Sequence, residues 1–82
     1  MQNIYTIPID SKTMDLAGYF VGNLITVDSL KKPKIGDCVL VNYKNKIILM
    51  EYRTPYLVPR SSDKTQKVLD VALVDIIGVV IN

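Results

Sequence analysis

Two short apolar runs separated by a polar stretch dominate the middle of the chain. The runs are CVLV at 38–41 and IILM at 47–50, and NYKNK lies between them at 42–46. β-Branched and aliphatic residues in runs of strand length, joined by a polar turn, are typical of a β-hairpin. A further β-branched run, LITV, precedes them and follows the turn signal Gly22-Asn23. The pattern predicts three strands of one antiparallel sheet, at 22–28, 35–42 and 47–52. The last two of these are expected to pair.

The first twenty residues give a weaker pattern. Residues 3–9 alternate between apolar and polar positions and contain Pro8, which favours an edge strand. Asp10 or Ser11 is a suitable cap for a short helical turn over 12–16. Gly18 follows this segment closely and is expected to end the turn.

The last third of the chain contains two further β signals around a polar loop. Residues 56–58 lie between two prolines, which predicts an edge strand or a wrapping arm. Residues 60–67 are polar and are expected to form an exposed loop. In 68–81 a helical period competes with strand, but valine and isoleucine predominate around Gly78 and favour two β segments about a kink or bulge. The 82 residues are therefore expected to form a single domain, mainly β, with a small, twisted or partly closed, antiparallel-rich sheet.

Composition limits the chemistry that this domain can perform. The chain has no histidine and one cysteine, Cys38, inside an apolar run, which excludes Ser-His-Asp and Cys-His sites and most zinc sites. We expect no cofactor and no metal. The net charge is +2, and the dense basic cluster, Lys31, Lys32 and Lys34, contains no interleaved aromatic residue. Direct contact with DNA by this chain is therefore disfavoured.

No segment of the sequence has the features of a membrane or secretion signal. Residues 1–10 lack a basic start followed by an apolar core, and the apolar runs are far shorter than a membrane-spanning helix. We expect a soluble, cytoplasmic protein with no membrane partner.

Five segments occur in a characteristic order along nearly the whole chain. They are Thr13-Met14, then GNLITVD at 22–28, PKIGDCVLV at 33–41, IILMEY at 47–52 and IIGVV at 76–80. This series resembles the C-terminal domain of LexA and the lambda-type phage repressors. That family shows Ser-Met, a Gly-Asp strand ending in Val-Asp, a Pro-x-x-Gly-Asp strand, a strand that carries a lysine, and a closing Ile-Gly-Val-Val. The resemblance implies the LexA/signal-peptidase-like fold and a self-cleaving Ser-Lys site.

The two catalytic positions of that family hold other residues here. The family's serine falls on Thr13 and its general-base lysine falls on Met50. A hydroxyl needs a base to take its proton, and a thioether cannot do so at neutral pH. The resemblance therefore implies a peptidase-like domain without its catalytic pair, and no enzyme activity is expected. Met50 is expected beside Thr13 in an apolar pocket, with the Thr13 hydroxyl bonded to backbone or water.

The resemblance also implies a function that needs no catalysis. C-terminal domains of this family pair, so that two helix-turn-helix domains grip a two-fold operator. The leading hypothesis is a non-catalytic dimerisation or regulatory domain of a phage- or prophage-type transcriptional repressor. Its partner is a second copy or a full-length repressor, and DNA is contacted only through a separate helix-turn-helix domain outside this chain.

Two alternatives remain open. The first is an active self-cleaving Ser-Lys-type peptidase with Thr13 or Ser11 as the nucleophile and Lys44 or Lys46 as the base. The second is a freestanding small protein that binds a repressor. For dimerisation, the candidates are apolar residues near sheet edges, which either pair with a partner or complete the core: Tyr56, Leu57, Val58, Val79, Val80 and Ile81.

Overall fold

Seven strands form a single antiparallel sheet in a computed structural model that describes residues 3–81. In chain order the strands are β1 Ile4–Pro8, β2 Leu24–Asp28, β3 Cys38–Tyr43, β4 Lys46–Arg53, β5 Tyr56–Val58, β6 Leu69–Asp70 and β7 Asp75–Val80. Their order across the sheet is β1-β2-β7-β3-β4-β5-β6, and the sheet is not closed. The expected mainly β, antiparallel class is confirmed.

The predicted hairpin is formed by β3 and β4. Val39 pairs with Met50, and the pairing continues to Tyr43 and Lys46. The two residues between them, Lys44 and Asn45, have φ angles of 50° and 65°. Positive φ at both central residues is characteristic of a type I′ turn, whose twist matches that of the flanking strands. The two strands therefore extend further toward the turn than the apolar runs alone indicated.

The sheet buries side chains on both faces, because successive residues of a strand point to opposite sides. On one face the 13–20 segment contributes Met14 and Tyr19 to a core that also contains Ile9, Ile25, Val27, Cys38, Leu40, Leu49 and Val80. On the other face the connection from β6 to β7 packs over a core of Val39, Val41, Met50, Leu57 and Val79. Burial of the whole 38–41 run follows from this two-sided packing.

Strand β7 contains a bulge beside a tightly packed glycine. Leu40 of β3 pairs with Gly78 and Val41 pairs with Ile76, so that Ile77 is the extra residue. A Cβ atom on Gly78 would lie 2.5 Å from Val27 Cγ1 and 2.9 Å from the backbone oxygen of Asp28. The expected bulge near Gly78 is therefore present, but it lies within one strand. The two β segments expected on either side of Gly78 are thus a single strand, β7. The other strand of 68–81, β6, is separated from it by a 3-10 helix at Val71–Leu73.

The short helical turn near the N-terminus differs from its prediction. It is a 3-10 helix at Asp15–Ala17, and Met14 occupies its N-cap position without a side-chain hydrogen bond. Neither Asp10 nor Ser11 caps it, because the helix begins several residues later than expected. Gly18 ends it in the left-handed conformation, with a φ of 93°, as predicted.

The 56–58 segment is a strand, but it is not at the edge of the sheet. Leu57 pairs with Tyr52 of β4 on one side and with Leu69 of β6 on the other. The two-residue strand β6 lies outside β5 and was not predicted, because two residues give no periodic signal.

Candidate functional site

Thr13 is a buried polar residue, with only 3% of its surface exposed. Its Oγ1 donates a hydrogen bond of 2.5 Å to the backbone oxygen of Leu49 in β4. The Ser11 Oγ lies 3.2 Å from the same Thr13 atom. Because a hydroxyl has a single proton, and that of Thr13 is donated to Leu49, the Ser11 hydroxyl is the donor of this second bond. The two hydroxyls thus form a short chain that ends on the backbone of β4.

Thr13 occupies a gap between β4 and the chain that follows β5. Continued pairing of β5 with β4, from Glu51 opposite Val58, would place Arg60 opposite Leu49. The Arg60 amide instead donates a 2.9 Å hydrogen bond to the backbone oxygen of Thr13. Thr13 therefore lies between the two segments, where its hydroxyl takes the place of a strand partner for Leu49.

The register of the hairpin explains why the Leu49 carbonyl needs such a partner. The Tyr52 amide donates to the backbone oxygen of Asp37, so these residues form a hydrogen-bonded pair. Hydrogen-bonded and non-hydrogen-bonded pairs alternate along an antiparallel ladder. Leu49 and Leu40 lie three pairs further on and form a non-hydrogen-bonded pair. The carbonyl of Leu49 consequently points away from β3 and toward Thr13.

Met50 is buried, with 1% of its surface exposed, in the second core with Val39, Val41 and Leu57. Both the Met50 side chain and the residues around it are therefore apolar. The Thr13 hydroxyl bonds the carbonyl oxygen of Leu49, and the Met50 side chain packs in the second core. The Met50 side chain lines a separate cavity of about 200 Å³. The expected bond from the Thr13 hydroxyl to the backbone is present.

An open groove of about 690 Å³ lies between the Ser11–Thr13 segment and the hairpin turn. Ser11, Thr13, Lys46 and Gln66 are among the residues that line it. Lys46 is exposed, so its ammonium group stays hydrated, whereas a lysine acts as a base at neutral pH after desolvation. Lys44 does not line this groove, and its Nζ lies 5.2 Å from the centre of the Tyr43 ring.

A network of exposed polar contacts holds the 60–67 loop against the Thr13 segment. The Arg60 guanidinium, with a smaller contribution from Arg53, lowers the pKa of Glu51 from 4.5 to about 2. Ser62 donates from both its amide and its hydroxyl to Asp15, and these bonds hold the pKa of Asp15 below its ordinary value. Sequence reasoning missed the bonds between Ser62 and Asp15, because these two residues are separated by 47 positions.

The surroundings of the single cysteine disfavour its thiolate form. Cys38 is buried in the first core, and this burial raises the pKa of its thiol to about 12. Between residues 3 and 81, no three His, Cys, Asp or Glu side chains converge as metal ligands. In the same range the helices are 3-10 turns of three residues, and none approaches the length of a membrane-spanning helix.

The residues predicted for dimerisation are divided between the interior and the surface. Leu57, Val79 and Val80 are buried in the two cores of the chain itself. They complete the core, which was the alternative to pairing with a partner. Tyr56 and Ile81 are exposed, and Val58 is half-buried.

The fold and the site together define a small antiparallel β protein in which a buried threonine hydroxyl is bonded to the backbone. Met50, in the strand that accepts this bond, is buried. No protein-family model matches the chain, and no curated protein is significantly similar to it.

Proposed function

We propose that the chain is a non-catalytic dimerisation or regulatory domain of a phage- or prophage-type transcriptional repressor that acts in the cytoplasm. One observation supports the absence of catalysis above others: the Thr13 hydroxyl donates to the backbone carbonyl of Leu49. The resemblance to LexA-like domains implies in addition that Met50 stands where those domains carry a lysine. The domain pairs with a second copy or with a full-length repressor. DNA is contacted by a separate helix-turn-helix domain.

The chemistry of the site is the reason for assigning no peptidase activity. A threonine hydroxyl attacks a peptide carbonyl only if a base removes its proton during the attack. The proton of the Thr13 hydroxyl is donated to a carbonyl oxygen, which is too weak a base to remove it. The thioether of Met50 has no useful basicity and points into an apolar core. The buried hydroxyl therefore contributes to structure.

Self-cleavage is tested by incubating the full-length protein at alkaline pH and measuring the intact mass. No fragment is expected at any pH, because raising the pH deprotonates a lysine but does not change a methionine. A fragment that forms in the wild type and disappears in Thr13→Ala would overturn the proposal. The double variant Thr13→Ser with Met50→Lys is the converse test, in which cleavage would show that the surrounding pocket still fits a substrate.

Dimerisation is tested by fusing the chain to a helix-turn-helix domain that binds its two-fold operator weakly as a monomer. Pairing makes the second half-site contact intramolecular, so operator affinity is expected to rise by roughly 10²- to 10⁴-fold. A fusion that binds no more tightly than the helix-turn-helix domain alone would contradict the proposed role.

A self-processing peptidase is the second candidate, since Ser11, Thr13 and Lys46 line the same groove. In this alternative Ser11 or Thr13 is the nucleophile and Lys46 is the base. It requires Lys46→Met to abolish cleavage, while Lys44→Met, in the same turn but outside the groove, leaves cleavage unchanged. Equal behaviour of these two variants would exclude Lys46 as the base.

A further inference from the structure

The two edges of the sheet are protected to different degrees. At one edge β6 has only two residues, one of which is Asp70. At the other edge β1 has five residues, and none of them is charged. Exposed edge strands of soluble proteins usually carry charges, bulges or prolines that prevent pairing with another chain. In β1 the only one of these protective features is Pro8, at the end of the strand.

The pairing of β1 with β2 shows which backbone groups face outward. The Ser29 amide donates to the Asn3 oxygen, and the Ile9 amide donates to the Asn23 oxygen, each at 2.8 Å. Hydrogen-bonded pairs recur at every second residue of an antiparallel ladder. The odd-numbered residues of β1 therefore direct their backbone groups toward β2, and the even-numbered residues direct theirs away from the sheet.

The outward groups are the amide and carbonyl of Ile4, the amide and carbonyl of Thr6, and the carbonyl of Pro8. No strand among residues 3–81 pairs with this side of β1. The side chains are accessible as well, since Ile4 and Tyr5 are 45% and 51% exposed. This edge thus offers alternating donors and acceptors together with apolar surface.

We infer that β1 pairs in antiparallel fashion with β1 of a second copy, about a two-fold axis at Tyr5. In this register Ile4 of each copy lies opposite Thr6 of the other, and every outward amide and carbonyl of these two residues is bonded. An axis at Thr6 would instead place Ile4 opposite Pro8, which has no amide for the Ile4 carbonyl.

A second copy is the occupant that the edge itself favours. The backbone groups of Ile4 and Thr6 are self-complementary in this register, and the absence of charge in β1 removes the repulsion that normally keeps two identical edges apart. Tyr5 would face its own copy in a non-hydrogen-bonded pair, where cross-strand aromatic side chains approach closely. This inference rests on the proposed function only for the biological role of the dimer. It places the contact at β1 instead of at the residues predicted for dimerisation, 56–58 and 79–81.

Hydrogen exchange combined with sedimentation tests the inference on the intact chain. At about 100 µM, well above a dissociation constant of roughly 10 µM, we expect a dimer. The Ile4 and Thr6 amides should exchange slowly in that dimer and fast after dilution, whereas the Tyr5 and Ile7 amides should be protected at both concentrations. A dimer with unprotected Ile4 and Thr6 amides would overturn the β1 contact and leave dimerisation intact. A monomer would overturn both.

Two variants and a matched control complete the test. Thr6→Pro removes an outward amide that makes no bond to β2, and Ile4→Lys places a charge on the edge. Each should weaken the dimer by about tenfold or more, equivalent to about 1.4 kcal/mol. Leu30→Lys also replaces an aliphatic residue by lysine, but at a position that is 75% exposed and lies outside the strands. It should leave the dimer unchanged. If Leu30→Lys weakens the dimer as much as Ile4→Lys does, or if a different protein must be added for the edge amides to become protected, the inference is wrong.

Discussion

Removing the Thr13 hydroxyl without changing the shape of the side chain should destabilise the fold. Thr13→Val replaces the hydroxyl by a methyl group of similar size, so that the Leu49 carbonyl loses its donor and Ser11 loses its acceptor. Both Thr13 and Leu49 are buried, so water does not readily replace the lost bond. A buried acceptor left without a donor costs about 1–3 kcal/mol, and we expect a loss of about 2 kcal/mol in the free energy of unfolding.

Urea unfolding followed by circular dichroism measures this loss. The midpoint should fall while the slope m stays constant, because the surface exposed on unfolding is unchanged. Thr13→Ser keeps the hydroxyl and removes one methyl group, and it should cost only about 0.5–1.5 kcal/mol, as in other single-methyl deletions. Thr65→Val removes an exposed hydroxyl that is bonded to Asp63, and it should change stability by less than about 0.5 kcal/mol.

The order of the three variants decides whether the hydroxyl has this structural role. If Thr13→Val is as stable as Thr13→Ser, the bond to Leu49 does not hold the segment between β4 and Arg60. The same two variants separate the functional hypotheses, since a peptidase that used Thr13 would retain or gain cleavage with serine and lose it with valine. A non-catalytic domain differs between them only in stability.

Three other changes test separate parts of the structure. Gly78→Ala forces a Cβ atom against Val27 and the backbone of the next residue, and it should cost about 1–3 kcal/mol in thermal or urea unfolding. Arg60 holds the pKa of Glu51 at about 2 instead of 4.5. Their pairing therefore stabilises the fold fully above pH 4.5, and this stabilisation is lost as the pH falls toward 2. Arg60→Ala should flatten the dependence of stability on pH between these two values. Met50→Lys should destabilise the fold at neutral pH and recover stability as the pH rises.

The strands in the centre of the sheet were predictable because their signals are local. The apolar runs of β3 and β4 flank a turn that contains Asn45, a residue type that tolerates positive φ, and the observed turn has positive φ at that position. Strand β2 likewise follows a turn signal and ends at an acidic residue. In each case neighbouring residues along the chain determine the element, so periodicity and turn chemistry were sufficient.

The surroundings of the site were not predictable, because they depend on contacts between distant segments. Thr13 and Leu49 are 36 residues apart, and their bond exists because β5 separates from β4 before reaching Leu49. Nothing in the residues near Arg60 indicates that its amide will bond to Thr13 instead of continuing the ladder. The same limitation concealed β6, whose two residues form a strand only because β5 lies beside them.

The pH dependence of Met50→Lys distinguishes a dry core from a site that retains the polarity of a catalytic pocket. Met50 is packed among apolar side chains, so a lysine there would be an uncompensated buried charge, which costs about 3–5 kcal/mol. Desolvation lowers the pKa of a buried lysine below its ordinary value of about 10.4, and the unfolded chain then binds more protons than the folded one at intermediate pH. The stability of the variant must therefore rise with pH up to the ordinary lysine pKa of about 10.4. If the free energy of unfolding of the variant is the same at pH 7 and pH 10, the ammonium group reaches water or a polar partner, and the second core is not the apolar environment that excludes a lysine base.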